Sequence, residues 1–206
     1  TTLAPEVPGV EKLIPELNAM GITCAIGHSG AGYDQSMACV RAGAASATHL
    51  GNAMRLFHQH DPAIWGVALE TDLFVEAICD GRHLHPGSVR LYLKAKGFDR
   101  VVAITDSIMA AGLPDGNYKL GVNDVVVEDG DAKLATTGVR AGSTLTLAQA
   151  LRNIVKFADT DVEHAARLMT ANPAKLIGLP TKGAIGRGFD ADLTLVDGDL
   201  EVARTI

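Results

Sequence analysis

The chain has 206 residues, 47% of them hydrophobic and 20% charged, enough apolar mass for one sizeable core. Its net charge of −6 comes without any basic cluster, which argues against a nucleic-acid partner. No apolar run approaches the roughly 18 residues that a membrane-spanning helix requires, so no membrane partner is expected.

Cys24, Cys39 and Cys79 are widely spaced and form no C-x-x-C pair. They read as reduced core thiols of a cytoplasmic protein. The first residues lack the basic region of a signal peptide.

Thr1 to Pro5 reads as the end of a buried strand. From Pro8 to Met20, apolar Val10, Leu13, Ile14 and Leu17 fall on one helical face, and Gly21 stops the helix. Ile22 to Ile26 is a short strand ending in Gly27-His28. Asp34 to Ala42 is a second helix, with Asp34 as its N-cap and Gly43 as its stop. Ala45 to Leu50 is a strand that carries His49. Gly51 to Gly66 has no clean period and reads as a functional loop. Leu73 to Cys79 is a strand followed by D-G-R-H-L-H, Pro86 to Lys96 a helix closed by Gly97, and Arg100 to Thr105 a strand ending at Asp106.

This alternation predicts a parallel sheet. Polar, reactive side chains recur at the C-terminal strand ends, at His28, His49, His83 and Asp106. Four contributing strands favour the mouth of a TIM barrel over the single crevice of a doubly wound sheet. Two histidines in successive units are placed to converge on a metal.

Roughly five strand–helix units precede a change of pattern, whereas a closed barrel needs eight and about 250 residues. The expectation is an α/β chain forming the later part of a (β/α)8 barrel within a longer protein or beside a completing partner. Residues 117–134 read as an inserted hairpin with a glycine turn. Leu145 to Phe157 and Asp161 to Met169 are helices, the first entered through Ala141-Gly142-Ser143, and Asn172-Pro173 starts another. The expected division is a barrel part over 1–178 and a β element over 179–206.

The pieces G-H-S-G-A at Gly27, A-T-H-L-G-N-A-M at Ala47, D-G-R-H at Asp80, I-T-D-S-I-M-A-A-G at Ile104, A-G-S-T-L at Ala141 and G-R-G-F-D-A-D-L at Gly186 stand in one order. Together with T-L-A-P-E at Thr2, they resemble the C-terminal half of the N-acetylglucosamine-6-phosphate deacetylases of the amidohydrolase superfamily. The resemblance implies a metal-dependent (β/α)8 TIM barrel, with residues 179–206 supplying strands to a small β-sandwich domain.

It implies that His28 and His49 are ligands of a divalent metal, Zn²⁺ first, with Fe, Co or Mn as other choices. Asp106 is implied as the acid/base that takes a proton from water and returns it to the leaving amine. Asp80, Gly81, Arg82 and His83 are implied to wall the sugar, and Asn52, Ala53 and His60 to meet the phosphate. Arg140, Ala141 and Gly142 are implied to close over the substrate. The implied reaction is hydrolysis of N-acetylglucosamine 6-phosphate to glucosamine 6-phosphate and acetate, by a homodimer in the intact protein.

The family's metal-binding Glu, in a Glu-Gly-Pro motif, and its carbonyl-polarising His lie on upstream strands and have no counterpart in these residues. His60 stands where the family usually has Arg, with Arg55 or Arg140 as compensating cations, and Ser107 replaces the usual Ala. The alternative readings are an amidohydrolase of another N-acyl sugar or cyclic amide, and a chain inactive without the upstream Glu.

Overall fold

The computed structural model describes all 206 residues. Five short strands, β1 (Thr2–Leu3), β2 (Ala25–Ile26), β3 (Ser46–Ala47), β4 (Phe74–Ile78) and β5 (Val101–Ile104), form one parallel sheet in sequence order. Helices α1 (Val10–Ala19), α2 (Tyr33–Arg41), α3 (Ala63–Glu70) and α4 (Pro86–Lys96) connect them. Neighbouring strands are thus successive in the chain, the winding of a barrel rather than of a sheet that reverses direction.

Alternation along each strand separates two faces. Ile26, Ala47, Val75, Ala77, Val101 and Ala103 point into a core with Ile14 of α1, Cys39 of α2, Ile64 and Val67 of α3, and Tyr92 of α4. The other face carries polar groups such as Ser46 and Glu76, whose side chains are hydrogen-bonded at 2.9 Å. β1 and β5 have no strand beyond them in this sheet. Thr2 is therefore exposed and Leu3 only half-buried, so the first segment is a sheet edge and not the expected buried strand.

Local chemistry sets the helix ends. Pro86 opens α4 behind His85, whose Nδ1 accepts the Gly87 N–H at 3.0 Å. Helix α2 starts after Gly32, and Asp34 lies in its first turn instead of capping it. The Gly51–Gly66 stretch is a loop only as far as Pro62. Ala63–Glu70 is helical, and its period is hidden because Ala63, Ile64, Val67 and Ala68 are all buried against the sheet and neighbouring helices.

The expected hairpin is a three-stranded antiparallel meander, β6 (Gly116–Leu120), β7 (Asn123–Glu128) and β8 (Asp131–Leu134). It has a small core of its own around Ala110, Val125, Val127, Ala132 and Ala141. Gly121 (φ 58°) turns the first corner, and Asp129-Gly130 (φ 50° and 71°) turns the second. Helix α5 (Leu147–Ala158) follows, capped by Thr146, whose Oγ1 accepts the Gln149 N–H; Ala141-Gly142-Ser143 is not its cap.

Helices α6 (Val162–Arg167) and α7 (Ala171–Leu176) complete the helical part. Asn172 ties α7 to the sheet by donating to Phe98 O (2.7 Å) and Val101 O (2.6 Å). The last strands, β9 (Thr194–Val196) and β10 (Val202–Thr205), pair as an exposed antiparallel ribbon. Arg152 of α5 holds it through Leu200 O (3.1 Å) and Glu201 (2.9 Å). No helix is long and apolar enough to cross a membrane.

Candidate active site

His28, His49 and Asp106 follow the C-terminal ends of β2, β3 and β5, and all three have left-handed backbones, with φ of 48°, 31° and 50°. For non-glycine residues this is uncommon and costs of order 1 kcal/mol or more, so surrounding bonds must hold it. The His28 and His49 rings meet edge to face with centroids 4.9 Å apart. Gly27 allows the approach of their strands: a Cβ there would sit 2.8 Å from Thr48 Cβ.

The loops carrying the two histidines are zipped together. Ser29 N–H donates to Ala53 O (3.1 Å), and Arg55 N–H donates back to Ser29 O (3.0 Å). Asn52 Nδ2 donates to His49 O at 3.1 Å, so this side chain supports the histidine loop. Ala53 is itself left-handed, at φ 47°. Glu6, just beyond β1, accepts from the Ser29 hydroxyl and from the Gly30 N–H at 2.8 Å. Burial pushes the Glu6 carboxyl up, but these bonds outweigh it and hold it below the usual carboxylate value.

His49 is buried, and its Nδ1 has no hydrogen-bond partner. Burial lowers its pKa and favours the neutral imidazole, the form that ligates a metal. Asp106 pulls the other way, opposed by His28 and His83, which marks all four groups as electrostatic neighbours.

His83 stands over the same end of the sheet. Its Nδ1 lies 2.6 Å from Asp80 Oδ2, and Asp80 Oδ1 accepts the Arg82 and His83 amides at 2.8 and 2.7 Å. Burial raises the Asp80 carboxyl, yet the bonds from the His83 ring and the two amides bring it below its ordinary value. An ionised Asp80 fixes the proton on Nδ1 and leaves Nε2 for a ligand. Asp80 is thus occupied with orienting His83.

The segment after the meander runs beside Asp106. Ser143 N–H donates to Asp106 O at 2.8 Å, and the Ser143 hydroxyl donates to Thr105 O. Gly142 (φ 62°) would place a Cβ 2.9 Å from Asp106 O and 2.5 Å from Ile108, so only glycine fits. Ala141 is buried in the meander's core. Arg140 is paired twice with Asp131 and donates to Arg82 O at 3.2 Å. Arg82 in turn reaches Asp129 O, and a Cβ on Gly81 would meet the Phe157 ring at 3.2 Å.

His60 is exposed and belongs to a separate cluster. Its N–H donates to His58 Nδ1 (3.2 Å), and Arg55 pairs with Asp61 at 2.9 Å. Arg55 and Arg140, the two candidate compensating cations, are each paired with a carboxylate. Trp65 packs edge-on against Tyr92 with ring centroids 5.6 Å apart, a packing role.

The donor chemistry fits a metal in part. His28 and His49 offer two nitrogens on adjacent strands, and the buried Nδ1 of His49 lacks any other partner. No three His, Cys, Asp or Glu side chains of this chain converge on one point, so further donors must come from outside this constellation.

Residues 10–206 match the amidohydrolase family. The chain belongs to that family. It is 38% identical, over its whole length and 53% of the relative's, to an N-acetylglucosamine-6-phosphate deacetylase of Lysinibacillus sphaericus. A Bacillus subtilis protein of the same name is 39% identical over 100% of this chain and 52% of its own length. The chain spans about half the length of the curated relatives it matches.

Among amidohydrolases of known structure, the deacetylase of Thermotoga maritima superposes with a TM-score of 0.94 at 38% identity, covering 100% of this chain and 56% of that one. A Mycobacterium smegmatis mutant enzyme, solved in complex with N-acetyl-D-glucosamine-6-phosphate, gives 0.95 at 37%, covering 100% and 55%. An enamidase of the superfamily, at 15% identity and a TM-score of 0.59, shares the fold alone. The five-stranded parallel sheet is accordingly a portion of an amidohydrolase TIM barrel.

Sequence reasoning passed over Glu76, Ser29 and Ser143. None is a strand-end His or Asp, and each engages a neighbouring segment, Glu76 through Ser46, Ser29 through Glu6 and Ser143 through Thr105 O.

Proposed function

We propose that the protein carrying this chain hydrolyses the N-acetyl group of N-acetylglucosamine 6-phosphate, releasing glucosamine 6-phosphate and acetate. The observation that carries the reading is the edge-to-face pair of His28 and His49 at 4.9 Å, with Asp106 on the same end of the sheet. Similarity to deacetylases over the whole chain supports it.

In this reading His28 and His49 are two protein ligands of a divalent metal, Zn²⁺ by donor type, with Fe, Co or Mn also accommodated. The metal, when bound, supplies a Lewis acid for a poorly electrophilic amide. Asp106 accepts a proton from the attacking water as its oxygen bonds to the acetyl carbon. It then delivers that proton to the departing nitrogen as the C–N bond breaks. His83, fixed by Asp80, presents Nε2 to the sugar, with Gly81 and Arg82 completing that wall. Asn52 and Ala53 meet the phosphate region with His60. Arg140, Ala141 and Gly142 hold the lid side against Asp106.

The reading extends to a homodimer in a reducing cytoplasm, where Cys24, Cys39 and Cys79 stay free in the core. Residues 179–206 contribute the β9–β10 ribbon to a small β-domain, and 1–178 the barrel part.

The test is acetate release from N-acetylglucosamine 6-phosphate by the full-length protein, before and after chelation and after Zn²⁺ is restored. Turnover that survives thorough chelation, or none on this substrate with metal restored, overturns the reading.

A second reading, another N-acyl sugar as substrate, is favoured by one observation. His60 replaces the expected Arg while Arg55 and Arg140 are both tied to carboxylates. Equal kcat/KM on phosphorylated and free N-acetylglucosamine would decide for it. A third reading, that the 206 residues alone are inactive, follows from the two-nitrogen donor set. Zn²⁺-supported turnover by this chain in isolation would exclude it.

A further inference from the structure

Glu76 is a carboxylate in the middle of β4, on the polar face of the sheet, with no place in the reaction proposed above. In the parallel β3–β4 pair, Ser46 is opposite Phe74 and Ala47 opposite Val75, which sets Glu76 level with the segment leading into His49. Its Oε1 accepts the Ser46 hydroxyl at 2.9 Å. Its main-chain carbonyl accepts the Leu50 N–H, also at 2.9 Å. One residue therefore bonds the chain on both sides of His49, at Ser46 before it and at Leu50 after it, around the point where the chain takes its left-handed turn at φ 31°.

A strained backbone persists only where its surroundings over-determine it. Thr48 N–H is spent on Ile26 O, an ordinary ladder bond of the sheet, so the turn itself is held by Asn52 on its far side and from β4 through Glu76 on the other. Without that hold, His49 relaxes toward an extended backbone and its ring leaves the edge-to-face position beside His28.

We propose that Glu76 is a positioning residue that holds the left-handed turn of His49 through hydrogen bonds and so fixes the geometry of the His28–His49 pair. The inference rests on the reading of that pair as metal ligands. Groups one step removed from a metal commonly change its affinity 10- to 100-fold.

The test measures Zn²⁺ affinity of the full-length protein by competition with a chromophoric chelator, alongside thermal unfolding of the metal-free form. Glu76→Gln keeps an acceptor, and its affinity is expected to stay within roughly threefold of the parent's. Glu76→Met keeps the bulk without the acceptor and is expected to lose about tenfold or more. A role limited to packing predicts the reverse pattern, and Glu76→Met binding as tightly as the parent overturns the proposal. If Glu76→Met does not fold, Ser46→Ala carries the test: it frees one of the carboxylate's bonds and should weaken Zn²⁺ binding about three- to tenfold, with unchanged affinity counting against the proposal. A parent protein that binds no Zn²⁺, or binds it equally well as His28→Ala, fails the metal reading itself. Loss in Glu76→Met against a parent that does bind Zn²⁺ separates the two.

Discussion

Arg140 closes on Asp131 with Nε 2.7 Å from Oδ1 and Nη2 3.0 Å from Oδ2, a two-point clasp between the end of the meander and its third strand. Lys133 adds a second cation at 3.2 Å. The Arg140 guanidinium first, and Lys133 after it, hold the Asp131 carboxyl down to about 2. The same Arg140 donates to Arg82 O, so the clasp reaches the loop that carries His83.

A group with a depressed folded-state pKa stabilises the fold above its unfolded value, and the stabilisation is lost as pH falls through the folded one. For Asp131 that window runs from about pH 4 down to about pH 2. Asp131→Asn should therefore lower the unfolding midpoint at pH 7, by on the order of 1 to 2 kcal/mol. Its deficit should shrink as pH is brought through the window. A pH-independent difference in denaturant titrations would show that shape, not charge, makes the contact.

Asp106→Asn removes the proton carrier while leaving the histidine pair in place. The expected result is a fall in kcat of about 10² to 10⁴, with Zn²⁺ affinity changed only a few fold. Asn also tolerates the left-handed backbone at this position, so folding should survive. Near-parental kcat would remove Asp106 from its role.

His60→Arg restores a permanently charged fork in the loop where Arg55 is already paired with Asp61. On a phosphorylated substrate KM should fall about three- to tenfold, with little change on the free sugar. Equal KM for the two proteins on the phosphorylated substrate would count against a phosphate contact at this position.

Gly142→Ala places a methyl against Asp106 O and Ile108 on a φ of 62°. Its expected cost is about 1 to 3 kcal/mol in stability, with a loss of kcat larger than the loss of metal affinity because the Asp106 loop is what moves. Parental stability and turnover would mean that the segment yields freely.

The parallel winding and the strand-end residues were legible because helical period and glycine stops survive in the sequence. Helix α3 was not, since Ala63–Glu70 is packed on most of its circumference and carries no polar stripe. The first strand of the meander was hidden because Gly121-Val122 makes an unremarkable two-residue corner, whereas Asp129-Gly130 carries a strong turn signature. The histidine pair and Asp106 could be read from their positions after apolar runs. The engagement of Arg140 by Asp131 and of Arg55 by Asp61 could not, because a partner on another turn or strand decides whether a charge is free. Glu76 was invisible for a related reason: a carboxylate inside a strand announces nothing until the neighbouring strand's turn is seen above it.

The left-handed backbones of His28, His49 and Asp106 also bias what random substitution can reveal at this site. A valine or isoleucine there pays a conformational penalty before any chemistry is lost, whereas glycine, asparagine and aspartate do not. A saturation screen scored on growth would therefore rank replacements by backbone tolerance and by ligand chemistry together. Comparing glycine with alanine at each of the three positions separates the two contributions: the glycine variant's recovered stability reports the backbone, and the activity it still lacks reports the side chain.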